Sequence, residues 1–151
     1  MIRKEHIIFK ATVSKEELIQ HAASYVKQLT PGLPLLLEGD LGSGKTTWVR
    51  GLLQAAITPQ LRVNSPTFSL MVPYEWKHHT IWHMDLYRLA FCADRVHDLG
   101  LDEYLKYDIC LIEWPEYLHT YFPCEYRILR LQYTQELGVR ILEMGECKRS
   151  T

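Results

Sequence analysis

The run Gly39-Asp40-Leu41-Gly42-Ser43-Gly44-Lys45-Thr46 fills every fixed position of the pattern G-x-x-x-x-G-K-[ST]. Few short patterns restrict a fold so tightly, because this one needs a buried strand before it and a helix directly after it. Glycines let the backbone curl until successive N–H groups face one anion, and the following helix adds the positive end of its dipole. Gly39 through Thr47 would then cradle nucleotide phosphates, with Lys45 reaching the β- and γ-phosphates. Thr46 would offer its hydroxyl to Mg²⁺, and Thr47 would cap the same turn. The flanks have the required character. Leu35-Leu36-Leu37 suits a buried strand, and Val49, Leu52, Leu53 and Ala56 recur at helical spacing.

With 151 residues and 47% hydrophobic content, the chain can bury one real core. A single domain over 1–151 is expected, with 148–151 as a frayed tail. Lys and Arg number 17 against 18 Asp and Glu, so no global field recruits nucleic acid or an anionic membrane. No apolar run reaches the length of a membrane span, and Met1 to His6 lack the apolar core of a secretory signal. A cytoplasmic protein is the expectation. Cys92, Cys110, Cys124 and Cys147 show neither C-x-x-C pairing nor zinc spacing, which predicts reduced, structural thiols.

Ile7-Ile8-Phe9 predicts a short edge strand, and Ser14 with Glu17 forms a capping box ahead of a helix lined by Leu18, Ala22, Val26 and Leu29. Pro31-Gly32 should end that helix, and Thr58-Pro59 the one after the phosphate loop. Two extended segments, Phe68 to Tyr74 and Ile81 to Asp85, predict a hairpin across the polar run 75–80. Phe91 to Leu105 reads as helix broken near Gly100. Ile109-Cys110-Leu111-Ile112 is a second buried strand, followed by a turn of helix beyond Pro115. Tyr126 to Tyr133 and Val139 to Met144 predict a second hairpin across Gly138. Apolar runs that end in polar residues suit a central sheet with ligands beyond its strand tips. The predicted fold is α/β: a three-layer P-loop NTPase whose mixed, mainly parallel central sheet carries antiparallel hairpins.

Phosphate binding alone does not make an ATPase; hydrolysis also needs a metal carboxylate and a group that positions water or senses the γ-phosphate. Glu113 ends the second buried strand, where an acid can hold Mg²⁺ directly or through water. Asp85 ends the strand Ile81 to Met84, and alternation puts His83 on the same face. This allows either an H-x-D metal pair or, the preferred reading, a carboxylate near the γ-phosphate. Thr67, in Ser65-Pro66-Thr67-Phe68, is the candidate γ-phosphate sensor. Arg88 can neutralise developing charge or form an ion pair, and Trp114 is expected to be partly exposed at a strand tip.

These pieces together resemble the TsaE (YjeE) family, ATPases of tRNA threonylcarbamoyladenosine synthesis. The likeness runs from about Leu35 to Glu116, through the phosphate loop, Ser65-Pro66-Thr67-Phe68, His83-Met84-Asp85-Leu86-Tyr87-Arg88-Leu89, Leu99-Gly100-Leu101 and Glu113-Trp114-Pro115-Glu116. It departs mildly at Phe91 to Arg95 and matches only in pattern along the carboxyl-terminal hairpin. The resemblance implies that Thr46 and Glu113 serve Mg²⁺, that Asp85 is an essential acid of the ATP site, and that Thr67 lies in a switch-like segment. It also implies TsaD and TsaB as partners, with tRNA met indirectly through that complex, and an ATP cycle that supports the pair's turnover. Two rivals stand beside it: a small-molecule P-loop kinase, which Arg95 alone barely equips with an arginine lid, and a nucleotide-dependent binding switch without useful hydrolysis.

Overall fold

A computed structural model describes residues 4–66, 68–91, 98–118 and 125–148. The strands are β1 (Lys4–Ser14), β2 (Leu35–Glu38), β3 (Met71–Trp76), β4 (His79–Asp85), β5 (Ile109–Glu113), β6 (Tyr126–Tyr133) and β7 (Val139–Lys148). Among the described residues, the α-helices with both ends defined are α1 (Lys15–Tyr25), α2 (Lys45–Ala56) and α3 (Leu101–Tyr107). All seven strands form one sheet in the order β1-β7-β6-β2-β5-β4-β3. Its centre, β6-β2-β5-β4, is parallel, while β7 and β1 on one flank and β3 on the other add antiparallel pairs. The mixed α/β sheet expected from the sequence is present, parallel at its centre and antiparallel on both flanks.

Period-two alternation sorts the central strands between two cores. Leu35, Leu37, Ile81, Ile109 and Leu111 pack with Leu18, Ala22, Trp48, Val49, Leu52 and Leu53 beneath α1 and α2. Leu36, Met84, Cys110 and Ile112 face the other way, against Leu101, Leu105 and Leu118. Both faces of the parallel strands are therefore covered, as parallel sheets require. The same alternation sends Glu113 and Asp85 to the α2 side, two residues beyond Leu111 and His83. The site is built there.

The capping box of α1 is complete: Glu17 N–H donates to Ser14 Oγ at 3.2 Å, and Ser14 N–H to Glu17 Oε2 at 2.8 Å. Regular helix stops at Tyr25 and tightens into a 3-10 turn over Val26–Gln28, earlier than Pro31-Gly32 suggested. The amino-terminal strand is longer than its apolar centre implied. It runs eleven residues, because an edge strand pairs through its backbone and leaves its side chains largely in solvent. The first hairpin is also tighter. Glu75 pairs with Thr80 and Trp76 with His79, so the turn is only Lys77-His78, with Lys77 at φ 55°. Phe68 stays out of β3 because Leu70, at φ 63°, donates its N–H to Pro66 O in a turn. Lys148, expected in a frayed tail, closes β7 opposite Lys4. Cys110 and Cys147 are free and buried, and burial pushes the Cys110 thiol up to about 12; Cys92 and Cys124 lie outside the described residues. Among the described residues, no helix is long and apolar enough to cross a membrane.

Trp48 joins α2 to α1. It is fully buried, stacks edge-on to Tyr25 and donates from Nε1 to His21 Nδ1 at 3.1 Å. Trp48→Ala is expected to cost about 3–5 kcal/mol of unfolding free energy, read by urea denaturation. A loss below about 1 kcal/mol, the size of one weak contact, would contradict this packing.

Candidate active site

Three backbone features shape the loop between β2 and α2. Gly39, Gly42 and Gly44 adopt φ of 155°, 74° and 112°. A Cβ on Gly39 would lie 2.5 Å from Ser43 Oγ and 2.7 Å from Leu131 O, so only glycine fits. Gly44 is the N-cap of α2 and supplies no side-chain hydrogen bond to the first turn. The first helical N–H groups therefore keep their capacity for an anion. Ser43 Oγ is buried in the same cradle and finds no partner among the described residues. An orphaned hydroxyl beside uncapped amides fits a phosphate group.

Lys45 is the first residue of α2 and only 6% exposed. Its ammonium donates to Gly39 O and, at 3.4 Å, to Asp40 O, and it lies 3.7 Å from the centre of the Trp114 ring. Burial lowers its pKa, opposed by the negative charge of Glu113, Glu116, Asp85 and Asp40. Among the described residues, this cation is held by two carbonyls and an aromatic face and forms no ion pair with a carboxylate. It is available to an incoming anion.

Opposite the loop, register does the work. Asp85 and Glu113 are paired residues on the neighbouring parallel strands β4 and β5, and Leu37 of β2 is level with Glu113. Both acids are buried, at 5% and 1% exposure. Thr46 Oγ1 donates to Glu113 Oε1 at 2.9 Å and to Oε2 at 3.3 Å. Ser65 Oγ donates to Asp85 Oδ2 and, at 3.4 Å, to Glu113 Oε2. Tyr87 N–H donates to Asp85 Oδ1 at 3.0 Å. Asp40 to Thr47, Ser65, Asp85, Tyr87, Glu113 and Trp114 enclose one cleft of about 370 Å³. The loop residues, Thr46, Asp85 and Glu113 named from the sequence thus meet in one place; Thr67 lies outside the described residues.

His83 shares a face with Asp85, as alternation predicts, but the bond that its ring makes runs to Glu113. Its Nε2 is 3.0 Å from Glu113 Oε2, across the strand pair, and the ring is fully buried. A carboxylate only accepts, so Nε2 carries the proton. Register explains the difference: His83 lies beside Leu111, which puts Glu113 on its diagonal, within reach of a long side chain. Among the described residues, no group of three or more acids, histidines or cysteines assembles a metal cluster. The donor set that fits Mg²⁺ is smaller: the Thr46 hydroxyl and the Glu113 carboxylate, hard oxygens that leave most positions to water and phosphate.

Arg88 lies with its guanidinium 4.2 Å from the Phe68 ring centre. Trp114 is partly exposed, adopts φ 58°, and touches Tyr87 as well as Lys45. A bulky residue in the left-handed region is strained, and such strain clusters at functional sites. Sequence reasoning passed over Ser65 as a ligand of Asp85 and over His83 as a partner of Glu113. Strand pairing reveals the His83–Glu113 contact, and the path of the connection after α2 reveals Ser65.

The family profile described as "Threonylcarbamoyl adenosine biosynthesis protein TsaE" matches residues 12–141. The chain belongs to the TsaE family. It is 38% identical over 110 residues to the tRNA threonylcarbamoyladenosine biosynthesis protein TsaE of Rickettsia bellii, spanning 73% of this chain and 76% of that one. Its likeness to the Bacillus subtilis protein of the same name is 39% over 115 residues, or 76% and 70% of the two chains. Among solved structures it is similar to the crystal structure of Bacillus subtilis YdiB. That match has a TM-score of 0.74 at 28% identity and covers 96% of this chain and 87% of the other. The matched span contains the phosphate loop, Ser65, His83, Asp85 and Glu113, so this TsaE-family member holds the whole cleft inside the region it shares with its relatives.

His83→Ala would remove one of the hydrogen-bond donors to the buried Glu113 carboxylate. It is expected to destabilise the fold by about 1–3 kcal/mol, measured by urea denaturation; unchanged stability would contradict the His83–Glu113 bond.

Proposed function

We propose that this chain is a Mg²⁺-dependent ATPase that supports threonylcarbamoyladenosine modification of tRNA, acting on a TsaD–TsaB pair in the cytoplasm as a single domain. One observation supports the reading most: an uncapped phosphate cradle opens onto two buried, adjacent carboxylates and a threonine hydroxyl in one cleft. The names carried by the relatives supply the pathway.

Each residue has a definite task on this reading. The amides of Gly42 and Gly44, with the first amides of α2, take up the phosphate oxygens. Lys45 leaves the Gly39 carbonyl for the β- and γ-phosphates, exchanging neutral acceptors for charged ones. Thr46 and Glu113 hold Mg²⁺, which when bound screens the charge of the two terminal phosphates. Asp85, its two oxygens fixed by Ser65 and the Tyr87 N–H, orders the attacking water. That water attacks the γ-phosphorus in line as the bond to the ADP oxygen breaks, and its proton passes to solvent. Thr67 follows the γ-phosphate. Trp114, lying on Lys45, registers whether the lysine has moved.

The direct test is Mg²⁺-dependent ATP hydrolysis by the purified chain, alone and with TsaD, TsaB and tRNA. Stimulation by the pair is expected. Asp85→Asn should retain ATP binding and lose at least about 100-fold in turnover, whereas Lys45→Ala should lose productive binding itself. Full turnover in either variant would overturn that residue's role. Failure of the pair to bind or stimulate the chain would overturn the pathway assignment, and turnover that needs an added small acceptor would favour a kinase instead.

A further inference from the structure

The phosphate loop is held from outside by residues that the chemistry does not use. Tyr133, at the end of β6, donates its hydroxyl to Leu41 O. Arg140, near the start of β7, donates from Nε to Ser43 O at 3.2 Å and from a terminal nitrogen to Gly42 O at 3.4 Å. Its guanidinium lies 4.3 Å from the Tyr133 ring centre, so the two side chains brace each other. Three consecutive loop carbonyls thus end on one hairpin, more than ninety residues away in sequence.

Sheet register explains why this hairpin and no other reaches the loop. β6 lies parallel to β2, with Glu38 beside Arg130. Carrying that register onward brings Tyr133 level with Leu41, where β2 has given way to the loop. The contact is close: a Cβ on Gly42 would sit 2.9 Å from the Tyr133 hydroxyl.

Peptide geometry gives these contacts a consequence. Within a trans peptide unit, the C=O of one residue and the N–H of the next point in opposite directions. Fixing Leu41 O and Ser43 O outward therefore aims the N–H groups of Gly42 and Gly44 into the cradle. The Ser43 N–H closes a turn on Asp40 O at 3.1 Å, so the hairpin's control falls on its two glycine neighbours. Glycines at positive φ have no side chain to hold them, and the loop belongs to no ladder. An external anchor supplies the missing order, and order present before binding does not have to be imposed by the ligand.

We propose that Tyr133 and Arg140 are positioning residues that preorganise the phosphate cradle by clamping its outward carbonyls. This rests on the reading of that loop as a phosphate site. It assigns the carboxyl-terminal hairpin a part in nucleotide affinity without contact to the phosphates. Arg140 also borders a side cleft of about 230 Å³ with Ser14, Lys15 and Leu18, so a direct contact with the nucleoside is the competing explanation. The choice of ligand separates the two.

Calorimetric binding of ADP and of inorganic pyrophosphate, which has no base or ribose, is compared for the unaltered chain, Tyr133→Phe and Arg140→Lys. Removing one such hydrogen bond should weaken binding about 2- to 10-fold, by the same factor for both ligands. The amide NMR resonances of Gly42 and Gly44 should shift in the ligand-free variants, and urea denaturation of Tyr133→Phe should stay close to that of the unaltered chain. Unchanged affinity, or a loss confined to ADP, would overturn the clamp. If Arg140→Lys does not fold, Tyr133→Phe alone decides. Should the unaltered chain bind neither ligand, the reading of the loop falls and the clamp with it; binding by the unaltered chain isolates the clamp as the idea on trial.

Discussion

Two carboxylates end neighbouring buried strands at the same level, and the rest of the site is arranged around the cost of putting them there. Adjacent parallel strands run about 4.8 Å apart. Like charges brought together in this way repel, and more strongly the less water lies around them. Asp85 and Glu113 are both buried, so solvent relieves little of this. Among the described residues, the groups hydrogen-bonded to them are donors: Thr46, Ser65, His83 and the Tyr87 N–H. Donors stabilise the charge without cancelling it. What remains is a negative site facing a phosphate cradle, an arrangement suited to a divalent cation.

The cradle answers from the other side with positive character that is free to be redirected. Lys45 is held by carbonyl dipoles and the face of Trp114, partners weaker than a phosphate oxygen. The α2 amides have no side-chain cap. Hydrogen bonds from Thr46 to Glu113 tie the two halves together, so the first turn of α2 and the tip of β5 are fixed relative to each other before any ligand arrives. Glycine gives the loop its shape but no rigidity. Tyr133 and Arg140 hold it from outside the cleft.

Much of this was legible in the sequence because local pattern and chemistry coincide. A triple leucine, a glycine-rich loop and a helical apolar repeat leave little choice about β2, the cradle and α2. Period-two alternation placed His83 and Asp85 on one face correctly. It could not show which strand lies beside β4, and so it could not name Glu113, the diagonal neighbour on β5, as the partner of His83. Ser65 was out of reach for another reason: its hydroxyl meets Asp85 through a long connection that no periodicity describes. β1 was underestimated because an edge strand needs little apolar content. Tyr133 and Arg140 looked like ordinary hairpin residues; the parallel pairing of β6 with β2, absent from any local pattern, brings them to the loop.

The central claim is that cradle and carboxylates are two halves of one Mg²⁺–ATP site. A crystal structure of the chain with Mg²⁺ and a non-hydrolysable ATP analogue tests it most directly. The account predicts Lys45 Nζ on the β- and γ-phosphate oxygens, away from Gly39, with the metal between Thr46 and Glu113 and Asp85 facing the γ-phosphate. A nucleotide bound elsewhere, or Lys45 still on the Gly39 carbonyl with the metal remote from Glu113, would contradict it.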